Sequence, residues 1–339
     1  MSRPILWLAT SLDVEEEGLF GGTYACTAPS VSNTAQLTRL RPLLERGVRP
    51  TLFCAHSVLT HSPSLAVLAH LRDRYGAEIA AHLHHWNTPP LDNGSVSLHA
   101  VPAASLSSDR FAAKLESLLR AGQTFQGAPL RSFRMGRWDL HRQHWPLLAA
   151  AGLTCDASVR PLHGPACNRQ GLRTLPDHFH APRQPYTVRT AHGALLEVPL
   201  SVTPLVPGLD RGMSLLPARM QQGLRARFHQ WGALALLPVQ HPLWLMQHMT
   251  RTFVRRGGRV LSLTWHSSEM MPGATPHLPH EPAVRALLHR LTAYVDWLSG
   301  LGEVRHVTMQ ELVLQYGNTA PAPAGDASAD WTCSAPVTS

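Results

Sequence analysis

Short apolar runs alternate along this chain with longer stretches in which leucines recur every three or four residues. The runs predict buried strands at 5–12, 50–55, 78–81, 132–135, 153–156, 195–200, 260–265 and 304–307. The periodic stretches predict helices between them. One starts at Asn33 or Thr34, turns Leu37, Leu40, Leu43 and Leu44 inward, and stops at Gly47. Another opens on Ser62-Pro63, with Pro near the first turn, and closes at Gly76. A third is capped by Ser108, carries Phe111, Leu115, Leu118 and Leu119, and ends at Gly122. Further helices are predicted at 141–151, 241–255, 282–300 and 309–316. Strands that alternate with helices in this way imply an α/β protein with a mainly parallel sheet, open or closed into a barrel.

Three stretches interrupt the alternation. Residues 158–192 are rich in Pro, His and Arg and are expected to be irregular. Residues 202–237 read as a second insertion, part helical. From Asn318 the chain is rich in Ala, Pro and Ser, which predicts a disordered tail over 318–339 behind one ordered domain over 1–317. The length of 339 residues suits a substantial core.

Charge changes the picture little. The formal net charge is +8, and Lys114 is the only lysine, so the positive charge is almost all arginine. The arginines are scattered and no basic block with interleaved aromatics occurs, which argues against nucleic acid as a partner. The five cysteines, Cys26, Cys54, Cys155, Cys167 and Cys333, are odd in number and form no C-x-x-C pair. That pattern fits a reducing compartment rather than a disulfide framework. No apolar stretch is long enough for a transmembrane helix, and the first twelve residues do not read as a signal peptide, so a soluble cytoplasmic protein is expected.

Chemistry gathers at the predicted C-terminal strand ends. The first strand runs into Asp13, Glu15, Glu16 and Glu17, where like charges repel and lose solvation. The third strand runs into His82 and His84, and later strands end at Arg134, Asp156 and His266. A parallel barrel puts all these ends on one face. One carboxylate with two imidazoles is a ligand set for Zn²⁺ or a similar divalent ion. A spare carboxylate and a further His supply a general base and a general acid.

Five segments then appear in one order: Ser11-Leu12-Asp13-Val14-Glu15, Glu78-Ile79-Ala80-Ala81-His82, Phe133-Arg134-Met135-Gly136-Arg137-Trp138, Asp156-Ala157-Ser158-Val159 and Leu263-Thr264-Trp265-His266. Together they resemble the motifs of the polysaccharide deacetylase family, the NodB-homology or carbohydrate esterase 4 group, over roughly residues 4–310. The resemblance implies a distorted (β/α) barrel with mainly parallel strands and its active site at the C-terminal strand ends. It implies a divalent metal, zinc first with cobalt or manganese as alternatives, that serves removal of N-acetyl groups from amino sugars.

By position, Asp13 matches the family's catalytic base, Glu15 its acidic metal ligand and His82 its first histidine ligand. Arg134 matches the arginine that orients the base, His266 the general acid, and Asp156 the carboxylate that holds that histidine. Two departures stand out. Val14 follows Asp13 where many relatives have a second acid. Trp86 stands where the second histidine is usual, so His84 or His85 must serve, with His84 the better fit. The expected substrate is an N-acetylated glycan or glycolipid precursor. The alternatives are a small non-sugar amide and a non-catalytic glycan-binding homologue whose metal site has decayed.

Overall fold

In the computed structural model, residues 3–22, 24–26, 28–91, 103, 106–165 and 175–316 are described. The tail expected over 318–339 lies outside them, as do Cys167 and Cys333. The centre of the molecule is β1 (Ile5–Val14), a strand whose side chains are almost all buried. It is long enough to hold three neighbours in parallel. β10 (Val260–His266) runs along one side, from Trp7↔Val260 to Asp13↔His266. On the other side β11 (Glu303–Val307) pairs with Ile5 to Ala9, and β2 (Thr51–Ala55) takes over from Ser11 to Val14.

From β2 the sheet continues through β3 (Glu78–Leu83), β4 (Ser132–Met135), β5 (Cys155–Asp156) and β7 (Gly193–Glu197), all parallel. It ends on β6 (Tyr186–Thr190), antiparallel to β7. This nine-stranded sheet curls into a distorted half-barrel. Parallel strands buried on both faces need apolar residues at most positions, which is why β1 and β2 read as largely apolar runs.

Helices cover the outside. Ser62–Tyr75 buries Leu68 and Leu71, Ser108–Gln126 buries Phe111, Leu115 and Leu118, and Glu281–Leu298 buries Val284, Leu287, Leu291 and Leu298. Each such side chain contributes about 1.5–3 kcal/mol through its removal from water.

Three local expectations are corrected. The helix expected from 33 to 47 is a 3₁₀ stretch, Ser32–Leu40, followed by one α turn, Arg41–Leu44. Pro42 has no N–H to close an α-helical bond on Thr38, and Arg41 N–H takes the Thr38 carbonyl instead. Gly122 does not end its helix, which runs on to Gln126 and stops at Gly127 in a left-handed conformation (φ 72°). Gly122 is a packing glycine: a Cβ there would lie 2.3 Å from Leu130 Cδ1. The stretch 158–192 contains β6, whose hairpin with β7 turns at Gly193.

The stretch 202–237 contains the hairpin of β8 (Val202–Pro204) and β9 (Ala233–Ala235) and the helix Ala218–Trp231. These pieces share a small core of their own, in which Leu162 and Phe179 pack with Leu200, Val202 and Phe228.

Candidate functional site

Side chains two apart on a strand point to the same face. On β1 this places Ser11 and Asp13 together inside the half-barrel, and both meet Arg134 from β4. Arg134 Nη1 donates to Asp13 Oδ1 (2.5 Å) and to Thr264 Oγ1 (2.9 Å), Nη2 to Ser11 Oγ (2.9 Å), and Nε to the Ala157 carbonyl (3.0 Å). The guanidinium carbon sits 4.1 Å from the centre of the Phe53 ring. A buried charge held by this many partners is fixed in one orientation, and it fixes Asp13 in turn.

The three glutamates after β1 do three different things. Glu15 Oε2 lies 3.1 Å from His82 Nε2 and 3.3 Å from His84 Nε2. Glu16, fully buried, accepts at Oε1 from His84 Nδ1 (2.9 Å), Trp86 Nε1 (3.0 Å) and Asn87 Nδ2 (2.7 Å). Glu17 accepts from Ser32 Oγ and Asn33 N–H at the start of the 3₁₀ stretch.

His82 and His84 share a face of β3 and its C-terminal end. A carbonyl oxygen can only accept, so His82 Nδ1, 3.0 Å from the Arg134 carbonyl, carries the proton and leaves Nε2 toward Glu15. Glu16 imposes the same orientation on His84. Gly136 makes room for it: a Cβ there would lie 2.2 Å from His84 Cδ2. Trp86 stacks on the His84 ring at 4.3 Å between centroids. Trp86 therefore packs the His84 ring in place. His85 packs edge-on against Trp86 and contributes no atom to the cluster.

Donor atoms of Glu15, His82 and His84 all lie within 4.8 Å of one another, and all three residues are buried. One oxygen and two nitrogens converge, and both imidazoles are already locked through Nδ1 by acceptors behind them. That donor set and that support fit Zn²⁺, Co²⁺ or Mn²⁺. The electrostatics agree. Burial would raise Glu15, but His266, His82 and His84 outweigh it and hold the carboxyl well below its ordinary range. Burial would likewise raise Glu16, and His84 outweighs it. Burial would lower His84, but Glu16 and Glu15 push it up to about 10. A cation on these atoms takes the place of that proton.

His266 ends β10 directly opposite Asp13 in the register. Its Nε2 is 3.8 Å from Asp13 Oδ2, and its other nitrogen, Nδ1, is 3.0 Å from Glu269 Oε2. Burial would lower its pKa, but the carboxylates of Glu269, Glu15 and Asp13 raise it to about 10. The ring is therefore protonated at neutral pH. Phe20 packs edge-on against it at 4.8 Å.

Asp156 does not hold His266, which corrects the expectation drawn from its motif. Its carboxylate accepts from Trp145 Nε1 (2.8 Å) and Ser158 Oγ (2.5 Å) and faces Glu197. Burial pushes both acids up, and the neighbouring Asp156 charge adds to the rise of Glu197, which lies well above its usual range. The histidine instead takes the carboxylate nearest in sequence, three residues on, and Glu269 Oε2 also accepts from the His266 backbone N–H at the start of the 3₁₀ turn Ser267–Met270.

Asp13, Glu15, His84, Trp86, Trp138 and His266 line one cavity of about 280 Å³. Arg137 and Trp138, at its rim, hold left-handed backbone (φ 61° and 59°), a strained conformation for such side chains. Sequence reasoning missed Glu16 and Glu269. The first was hidden in a run of three identical acids. The second was signalled by its spacing of three from His266.

No family model matches the chain, and no curated protein matches it. Solved structures do. A Mycobacterium smegmatis protein described as a polysaccharide deacetylase is similar with a TM-score of 0.58 at 16% identity, over 95% of this chain and 93% of that one. A Pseudomonas aeruginosa PAO1 protein of the same description gives 0.54 at 14% identity, over 95% and 93%. The Puue allantoinase gives 0.55 at 13% identity, again over 95% and 93%. The chain thus has the fold of the polysaccharide deacetylases, the NodB or carbohydrate esterase 4 type.

Proposed function

We propose that this protein is a metal-dependent amide hydrolase that removes N-acetyl groups from amino sugars of a glycan or glycan precursor. The observation that carries the reading is the pairing of two sites in one cavity. Glu15, His82 and His84 converge on an ion-sized gap, and Asp13 and His266 face each other beside it. When bound, a divalent ion supplies Lewis-acid polarisation of a carbonyl oxygen and makes water more acidic.

The chain's own residues do the rest. Arg134 holds Oδ1 of Asp13, so Oδ2 is the oxygen left to take a proton from the attacking water. His266, protonated and steered by Glu269 through Nδ1, gives its Nε2 proton to the leaving nitrogen as the carbon–nitrogen bond breaks. Acetate and a free amino sugar result. Trp86 and Trp138 wall the cavity and limit its access to bulk water. Glu16 keeps the His84 ring in place throughout.

The test is acetate release from N-acetylglucosamine oligosaccharides by the purified protein, after chelation and after Zn²⁺, Co²⁺ or Mn²⁺ is restored. Release that needs the metal supports the reading; release that ignores chelation removes it. The likeness to the Puue allantoinase favours a second reading, hydrolysis of a small cyclic ureide or imide. A panel holding both substrate classes separates the two.

A further inference from the structure

Arg160 lines the cavity of the site. Two other arginines of the insertions are paired, Arg183 with Asp210 and Arg225 with Asp177. Arg160 is half-buried, and among the described residues no carboxylate pairs with it. Burial pushes its pKa down to about 10, which still leaves it charged. The adjoining segment 166–174 contains no Asp or Glu. The histidines around it do not cancel it: burial and then the charge of Arg160 lower His163, His229 and His241, which keeps them from gaining charge and leaves them no negative group to offer. A cation placed this way, with no carboxylate paired to it among the described residues, suits an anion that arrives with a ligand.

Its position says which ligand. Arg160 and Gln240 line the catalytic cavity and also a second depression, of about 680 Å³, further along the surface. That depression carries Trp231 and Trp244, 43% and 66% exposed, with His229 and His241 beside them. Exposed indole faces are where sugar rings stack, since a ring's apolar face and polar edge match an aromatic in water. One track therefore runs from Asp13 and His266, past Arg160, to the two tryptophans.

We infer that the track binds an acidic oligosaccharide: Arg160 takes the carboxylate of a sugar next to the N-acetylated one, and Trp244 and Trp231 carry the chain beyond. The inference rests on the deacetylase reading for its choice of sugars, and it is tested by binding alone. Calorimetric titration of the full protein would use a tetrasaccharide of alternating N-acetylglucosamine and glucuronic acid, a neutral N-acetylglucosamine tetramer, and a phosphorylated N-acetylglucosamine. The acidic tetrasaccharide is expected to bind about tenfold more tightly than the neutral one, with the gap narrowed by salt. Arg160→Gln removes the gap and leaves neutral binding intact. Trp244→Ala, at an exposed position, weakens both tetrasaccharides about fivefold.

Unchanged binding of the acidic tetrasaccharide in either variant overturns the inference. So does tighter binding of the phosphorylated monosaccharide, which would assign Arg160 to a phosphate on a short ligand. Loss of acetate release with these binding differences intact would remove the deacetylase reading and leave the track standing.

Discussion

One oxygen of Glu269 accepts twice from His266, from the ring Nδ1 at 3.0 Å and from the backbone N–H at 2.8 Å. A carboxylate oxygen only accepts, so the proton on Nδ1 is fixed and Nε2 is aimed at Asp13 and the cavity. The negative charge behind the ring is the largest of the contributions that raise His266 against its burial. A general acid with a raised pKa works below that pKa and fails above it. Activity should therefore fall as pH rises through the raised pKa of the ring. Glu269→Gln keeps an acceptor but removes the charge, and should move this alkaline limb down by about 1–3 pH units. A pH profile of kcat/KM for the two proteins checks it; coincident limbs would separate Glu269 from the acid's tuning.

Glu16 touches no solvent and points no atom at the cavity, yet it holds the histidine that does. Acceptors behind metal-bound histidines commonly set affinity by about 10–100-fold. Glu16→Gln is expected to weaken zinc binding by that range, with the far-ultraviolet circular dichroism unchanged. Competitive titration against a chromogenic chelator gives the number. An unchanged affinity would show that the Glu16–His84 contact is packing alone.

Gly136→Ala tests the same ring from the other side. A methyl group 2.2 Å from His84 Cδ2 cannot coexist with the ring where it stands, and the Leu83 carbonyl at 3.0 Å blocks the alternative. The ring must swing from Glu15. Zinc affinity is expected to fall at least about tenfold, with most of the thermal stability kept. Equal affinity would mean that His84 is not needed by the ion.

Acid stability turns on other histidines. Burial lowers His144, stacked on Phe111, and His178, each to about 3. Their folded-state pKa lies below the unfolded value, so the unfolded chain binds more protons. The stability they contribute is present above about pH 6.5 and is lost as pH falls toward 3. Each contributes a slope of about 1.4 kcal/mol per pH unit in that window. His144→Gln should remove one such slope, whatever it does to stability at neutral pH. Urea unfolding at a series of pH values measures it; parallel curves for the two proteins would contradict it.

The legible part of this chain was what periodicity and position control. Residues 79–81 announce a strand because they are apolar and run straight into histidines, and a strand that stops on His82 and His84 puts both rings on one side. The same logic placed Asp13, Arg134 and His266 at strand ends. What stayed hidden depended on contacts between distant segments. The motif singled out Glu15, but nothing in the run of Glu15, Glu16 and Glu17 tells that Glu16 stands behind His84. Gly122 looks like a helix stop because the fit of Leu130 against it is tertiary. Asp156 sits at a strand end as expected, but Trp145, eleven residues back, claims its carboxylate. The strand 186–190 hides among Pro, His and Arg because its edge position demands little apolar surface.

The claim on which the rest depends is that Glu15, His82 and His84 hold one divalent ion. Its most direct test is the zinc content per chain by elemental analysis, after equilibrium dialysis against buffered zinc, for the protein and for His82→Ala. One equivalent in the first and almost none in the second is the predicted result. Equal zinc in both proteins, or none in either, would contradict it.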